Sequence, residues 1–211
     1  MDAVREDLYQ RAKELTSYLR HVGSVSECAR SEPEKAIARS LRAAAYLITY
    51  NLVEATARNA VRAVFDRLKD ESISFDRLTV QLKLLLLTHT RRKSPQALAE
   101  AFANIATDIV VKVFEPGALF SGNVDARTLR DTARKIGYKQ NSTTGRAAPA
   151  LLMVKNNRND LAHGHKTFSD IGRDTTVPDL RMHAAQAIRY MCEVVRNIEK
   201  FVKDREYLAS G

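Results

Sequence analysis

The 211 residues, 45% hydrophobic and 28% charged with only eight glycines and five prolines, have an ordinary globular composition that excludes disorder and leaves ample length for a core. Cys28 and Cys192 stand far apart with no Cys/His ligand spacing, which excludes a disulfide scaffold and a zinc site. The formal net charge of +9 is uneven: residues 127–173 hold ten basic and three acidic side chains, against a net +3 over residues 1–122.

Helical periodicity dominates, and no segment alternates as a strand should. A first helix is expected from Ala3 to about Val22, ending near Gly23. Ser31-Glu32-Pro33-Glu34 joins a capping box to an early proline, so a long helix opens there and runs to about Lys69. A third covers about Phe75 to Arg91, and a fourth opens at Ser94-Pro95 and stops before Pro116-Gly117. Asp125 to Ile136 reads as a short fifth helix between Gly122 and Gly137, followed by a polar loop over 138–146. A sixth spans about Ala148 to Ala162, ending at Gly164. Thr176-Val177-Pro178-Asp179 is a second capping box, opening a last helix to about Leu208. No repeat or composition shift marks a boundary, so one all-α domain over residues 1–211, a bundle of about six to seven helices, is the expected architecture. The charged amino terminus MDAVREDLYQR has no apolar signal core, and the run Leu84 to Leu87 is far too short to cross a bilayer. A cytoplasmic protein with no membrane partner is therefore expected.

Two helices break their own apolar pattern. In the sixth, positions 151, 154, 158 and 161 follow the spacing of a buried stripe and read Leu, Val, Arg, Leu. An arginine there must find an anion or snorkel to water. In the second, positions 47, 51, 54, 58, 61 and 65 read Leu, Asn, Glu, Arg, Val, Phe, which leaves Asn51, Glu54 and Arg58 as a polar island. Glu54 and Arg58 lie one turn apart and are placed to pair with each other. The alternative is that Glu54 holds Arg158 or Arg58 in a working orientation.

The segment Arg158-Asn159-Asp160-Leu161-Ala162-His163 supplies a permanent cation and a group that exchanges protons near neutral pH. Such a pair suffices to break a phosphodiester without a metal. Five helical steps turn about 140° and rise about 7.5 Å, so the two side chains do not share a face of one straight helix. Either the helix ends or distorts near Ala162, or two copies face each other and bring two arginines and two histidines into one cleft. The basic excess around this segment favours a polyanionic ligand, nucleic acid first; the competing reading is a solvated basic surface.

These residues resemble the HEPN superfamily (higher eukaryotes and prokaryotes nucleotide-binding domains), whose ribonuclease members carry Arg-x4–6-His with a polar residue after the arginine. Asn159 fills that place here. Leu161 to Gly164, and Thr167-Phe168-Ser169-Asp170-Ile171-Gly172-Arg173, resemble more narrowly a bacterial HEPN nuclease family found beside antitoxin-like or defence genes. Tyr50 to Arg58 is similar to that family's other polar segment. The resemblance implies an HEPN-like fold and a metal-independent endoribonuclease, with no cofactor and no metal, whose active site is shared across a homodimer. His163 would act as base towards the ribose 2′-hydroxyl or as acid towards the leaving oxygen, and Arg158 would hold the scissile phosphate. Asn159 would orient the phosphate or the histidine, and Glu54 would position Arg158. The expected ends are a 2′,3′-cyclic phosphate and a 5′-hydroxyl. HEPN toxins silenced by nucleotidyl transfer carry a tyrosine two residues after the histidine; His165 stands there, and Tyr138 is in another element. That route of silencing is not expected, and His165 becomes a candidate second proton carrier or phosphate ligand.

Lys155, Arg146, Lys166 and Arg173, with Arg58, His165 and Asn51, are the candidate RNA contacts. His21, His89 and His183 read as helix-end or surface residues, and Tyr46, Tyr50 and Tyr190 as packing residues rather than base-stacking platforms. No glycine-rich strand–helix turn supports a Rossmann site or P-loop, and Asp160 with Asp170 makes no convincing two-metal cluster. The leading expectation is an RNase of a toxin–antitoxin or anti-phage system, with RNA as substrate and an antitoxin or other inhibitory protein as partner. The alternative is a non-catalytic helical module that binds RNA or protein. A duplex-DNA binder is disfavoured by the lack of a helix-turn-helix pattern.

Overall fold

The computed structural model describes residues 1–90, 119, 120, 122–140 and 144–209. Among them are seven α-helices: α1 (Asp2–Cys28), α2 (Glu32–Asp70), α3 (Val80–Thr90), α4 (Ala126–Ile136), α5 (Thr144–Ala162), α6 (Phe168–Arg173) and α7 (Val177–Lys203). A 3-10 turn, Phe75–Arg77, precedes α3. The described residues form no strand beyond an isolated antiparallel bridge, Leu78 to Leu208. The fold is all-α, and no described helix is long and apolar enough to cross a membrane. The expected helix from Ser94 to about Phe114 lies outside the described residues.

The 39-residue α2, about 58 Å long at helical rise, is the spine, and α1, α5, α6 and α7 all pack on it. Its first turn is fixed by the expected box: the Ser31 hydroxyl accepts from the Glu34 amide, and the Glu34 carboxylate accepts from Ser31 N at 2.9 Å. These backbone donors, with that of Arg30, hold the Glu34 carboxyl below its ordinary pKa. The buried side of α2 runs Tyr46, Tyr50, Val53, Ala57, Ala60 and Val64, facing Leu8, Leu15 and Leu19 of α1 and Ala187, Val194 and Ile198 of α7 in one core. That stripe lies one position before the one read from the sequence. Asn51 is consequently exposed, and Glu54 and Arg58 sit at the edge of the core rather than within it.

Four boundaries differ from expectation. Helix α1 continues through Gly23, because a buried glycine makes room there: a Cβ would stand 2.7 Å from the Arg181 guanidinium of α7. The third helix starts at Val80 and the last ends at Lys203 because the carboxy-terminal segment pairs with the chain just ahead of the third helix. Thr79 N donates to Tyr207 O at 2.9 Å, and Ala209 N to Arg77 O at 2.8 Å. Helix α5 starts at Thr144 within the expected loop and carries Pro149 inside it. Helix α6, absent from the sequence reading, is closed by a capping box between Thr167 and Asp170. Its Gly172 meets α2 directly, since a Cβ there would lie 1.9 Å from the Arg39 carbonyl, and Arg42 Nε donates to the Gly172 carbonyl at 2.8 Å. Only glycine permits that approach.

Candidate functional site

Helix α5 carries the Arg/His segment with Leu151 and Val154 buried ahead of it, which seats this face on the core. One turn beyond Val154, the Arg158 guanidinium lies over the Tyr50 ring, 4.6 Å from its centroid. Its Nη1 donates to the Gly122 carbonyl at 3.3 Å and to Asn159 Oδ1 at 2.9 Å. Asn159 Nδ2 then donates to Asn123 Oδ1 at 2.9 Å. The 122–124 segment is held from below as well, since Val124 N donates to the Tyr50 hydroxyl at 3.1 Å. Gly122 adopts φ +76, and a side chain there would face the guanidinium nitrogens at 3.7 and 3.8 Å. Burial pushes the Tyr50 phenol above its ordinary pKa, so the platform stays neutral under the cation.

Half-buried Arg158 thus has a π-face, a carbonyl and an amide as partners, and no carboxylate pairs with it among the described residues. A fixed guanidinium that no described carboxylate neutralises is a ready seat for a phosphate. Tyr50 is the residue that sequence reasoning missed. Its spacing marked it as core, which it is, but nothing local announced the cation above its ring.

His163 follows the last turn of α5. Its amide still donates to the Asn159 carbonyl at 2.9 Å, so the helix runs undistorted to this point. Gly164, at φ +69, then closes it. Gly164 N donates to Leu161 O at 3.3 Å and His165 N to Asp160 O at 2.8 Å, the paired bonds of a Schellman cap. A regular helix keeps Arg158 and His163 on different faces, so within one chain the distortion that would unite them does not occur. The His163 ring is exposed, its described neighbour being the His165 ring at 5.7 Å between centroids.

The other predicted residues divide. Glu54 is ion-paired with Arg58 at 2.7 Å and not with Arg158, so the direct positioning role expected of it is corrected to the intrahelical pair. Lys155 is bound to Asp125 at 2.6 Å with both side chains largely covered, which removes it as a free backbone contact. Burial pulls the Asp125 carboxyl up, but the Lys155 hydrogen bond and the Thr128 amide outweigh it and hold it below its ordinary pKa. Asp125 thereby caps α4 and ties it to α5. Lys166 pairs with Asp160 at 3.2 Å, with His165 3.8 Å from the same carboxylate. Arg173 reaches Asp170 and Asp174, exposed to solvent. The basic excess read from 127–173 is thus reduced by two acids just outside that stretch, Asp125 and Asp174. Asn51 is exposed on α2, and the side chain of Arg146 lies outside the described residues. His183, read as a surface residue, is half-buried, with Nδ1 3.4 Å from the Tyr46 hydroxyl.

No group of three or more His, Cys, Asp or Glu side chains among the described residues is arranged to hold a metal ion. Cys28 and Cys192 are free and exposed. No curated protein and no solved structure matches the chain. One family model does, described as HEPN_MAE_28990-like HEPN, and it matches residues 1–207, nearly the whole chain. With an all-α fold and an Arg-x4-His segment at the end of α5, the chain belongs to this HEPN family, a class of domain associated in general with nuclease and RNA-related functions.

Proposed function

We propose that the protein is a metal-independent endoribonuclease acting as a homodimer, an effector of a toxin–antitoxin or anti-phage system restrained by an inhibitory partner. The observation that carries this reading is Arg158: half-buried, fixed on Tyr50, Gly122 and Asn159, and left without a carboxylate among the described residues. A structural arginine at such a depth ordinarily pairs with an acid. This one is held ready for an anion that the described residues do not supply. Because the undistorted end of α5 separates Arg158 from His163, a two-fold pairing of α5 ends is the arrangement that completes the site.

In the proposed reaction one His163 imidazole accepts the proton of the ribose 2′-hydroxyl. The 2′-oxygen attacks phosphorus, and the bond from phosphorus to the 5′-oxygen breaks. The partner subunit's His163, protonated, gives its proton to that leaving oxygen. The products are a 2′,3′-cyclic phosphate and a 5′-hydroxyl, with no net proton lost. Arg158 neutralises the charge that builds on the non-bridging oxygens. Asn159 serves this step by fixing Arg158, since its amide is committed to the guanidinium and to Asn123.

Labelled RNA incubated with purified protein in EDTA tests the reading. Cleavage that survives chelation, leaves cyclic-phosphate ends and falls by about 10²–10⁴ in His163→Ala is the expected result. Intact RNA at micromolar dimer overturns it in favour of a non-catalytic RNA- or protein-binding module.

A further inference from the structure

On the flank of α5 that faces α6 and α7 lies a polar cavity of about 420 Å³, within the range of small-ligand sites. Tyr46, Asn157, Lys166, Asp174, Asp179 and His183 are among its lining residues. Two helices tie it to the candidate site. Tyr46 precedes Tyr50 by one turn of α2, about 6 Å, and Asn157 directly precedes Arg158 on α5. A nucleotide whose phosphate rests on Arg158 therefore has this cavity within reach of its base.

The walls are unusual in carrying more acceptors than donors. Asp179 uses Oδ2 for the α7 cap, accepting from the Thr176 hydroxyl at 2.5 Å, and among the described residues no donor reaches its Oδ1. Among the described residues the Asp174 carboxylate receives one long contact, from Arg173 Nε at 3.5 Å. Asn157 spends its amide nitrogen on the Met153 carbonyl at 3.0 Å and keeps Oδ1 as an acceptor. Flat rings stand at the inner wall, Tyr46 and His183, tilted 36° with centroids 6.1 Å apart. Burial pushes the His183 imidazole pKa down, so the ring is neutral and adds no cation to the cavity. Lys166 contributes the positive charge, already engaged by Asp160 outside. Such a wall repels a phosphate and suits a base that offers hydrogen-bond donors.

We infer that this cavity seats a guanine base of the RNA at the nucleotide adjoining the scissile phosphate. Guanine alone presents N1–H and N2–H2 as adjacent donors, which a carboxylate accepts two at a time, whereas adenine, cytosine and uracil each offer one donor site on that edge. The inference rests on the ribonuclease reading, because the neighbouring phosphate is what brings the base here.

Two measurements on the full chain test it. In the first, methionine methyls are isotope-labelled and the protein is titrated with each nucleoside monophosphate. Met153 lines the cavity, whereas Met191 is fully buried elsewhere. GMP is expected to shift the Met153 signal at about tenfold lower concentration than AMP, CMP or UMP, and Asp174→Asn and Asp179→Asn are expected to erase that margin. In the second, ends produced from random-sequence RNA are mapped. Guanine should be enriched about tenfold on one side of the cut, and the ratio, rather than the rate, should collapse in either variant. RNA cut without base preference, with Met153 indifferent to all four nucleotides, overturns the guanine cavity and leaves the nuclease standing. GMP-selective shifts without any cleavage keep the cavity and overturn the nuclease.

Discussion

Arg158 and His163 lie five residues apart on one helix, yet the chain treats them in opposite ways. Arg158 is half-buried and held on three sides, by Tyr50, Gly122 and Asn159. His163 is exposed at the helix end, and what is fixed about it is its backbone, through the Asn159 carbonyl and the turn at Gly164. A phosphate seat has to be rigid before substrate arrives, since its use is to meet charge already in place. A proton carrier has to meet a substrate atom, and in the proposed dimer the surface that completes its surroundings is the other copy. On that proposal, one half of the site is built within the chain and the other half is left for assembly.

The largest test of this contrast compares Arg158→Ala with His163→Ala. Both should abolish most cleavage, the first by about 10²–10³ and the second by about 10²–10⁴. Their stabilities should differ. Arg158→Ala loses a cation–π contact and a bond to the Gly122 carbonyl, together about 1–2 kcal/mol, and should melt a few degrees lower. His163→Ala removes an exposed ring and should melt within about 1 °C of the parent. Equal losses of melting temperature would show that the histidine is held as firmly as the arginine.

Gly164→Ala probes the open half alone. A Cβ at 164 would touch nothing within 4 Å, so the cost is conformational: φ +69 is a left-handed setting that alanine takes at about 1–2 kcal/mol. Melting should fall by about 2–6 °C. Cleavage should fall about tenfold, because the turn that sets His163 at the end of α5 is loosened while the Arg158 seat is untouched. Circular dichroism melts beside RNA cleavage in EDTA read both. A drop in melting temperature with full activity would detach His163 from its cap.

How much of this was written in the chain follows from the range of each signal. Caps are local, and Ser31, Asp125 and Thr176 open their helices where residue type and spacing placed them. The same kind of box at Thr167 and Asp170 was equally legible, but six residues are too few for a periodicity to appear, and α6 was passed over. The α2 stripe slipped by one position because Tyr46, Tyr50 and Ala57 are as acceptable inside as at a boundary, so side-chain type did not fix the face. Pairings across distance were beyond reach. Lys155 and Asp125 are 30 residues apart, and Tyr50 and Arg158 more than a hundred, and only packing of α2 and α5 brings the second pair together. Arg158 was nevertheless marked by its misfit on an apolar stripe, which is why this residue stood out in the sequence while its support did not.

Glu54 gives the smallest effect and the finest test of where the site ends. Its carboxylate is bound by Arg58, an arrangement with the acid one turn ahead of the base, worth about 0.3–0.5 kcal/mol on a helix. It also faces the Tyr50 phenol, whose pKa it helps to raise, so it borders the platform beneath Arg158 without touching Arg158 itself. Glu54→Ala frees Arg58, whose side chain is 40% exposed and has water to turn to. The Tyr50 hydroxyl keeps its bond from Val124, so the ring under Arg158 has no reason to move. Stability should change by less than about 1 kcal/mol and kcat by less than about threefold. A loss near that of Arg158→Ala, restored by Glu54→Gln, would mean that the hydrogen bond from the Tyr50 hydroxyl to the Glu54 side chain governs Arg158, and the anchored half of the site would then extend through Tyr50 to α2.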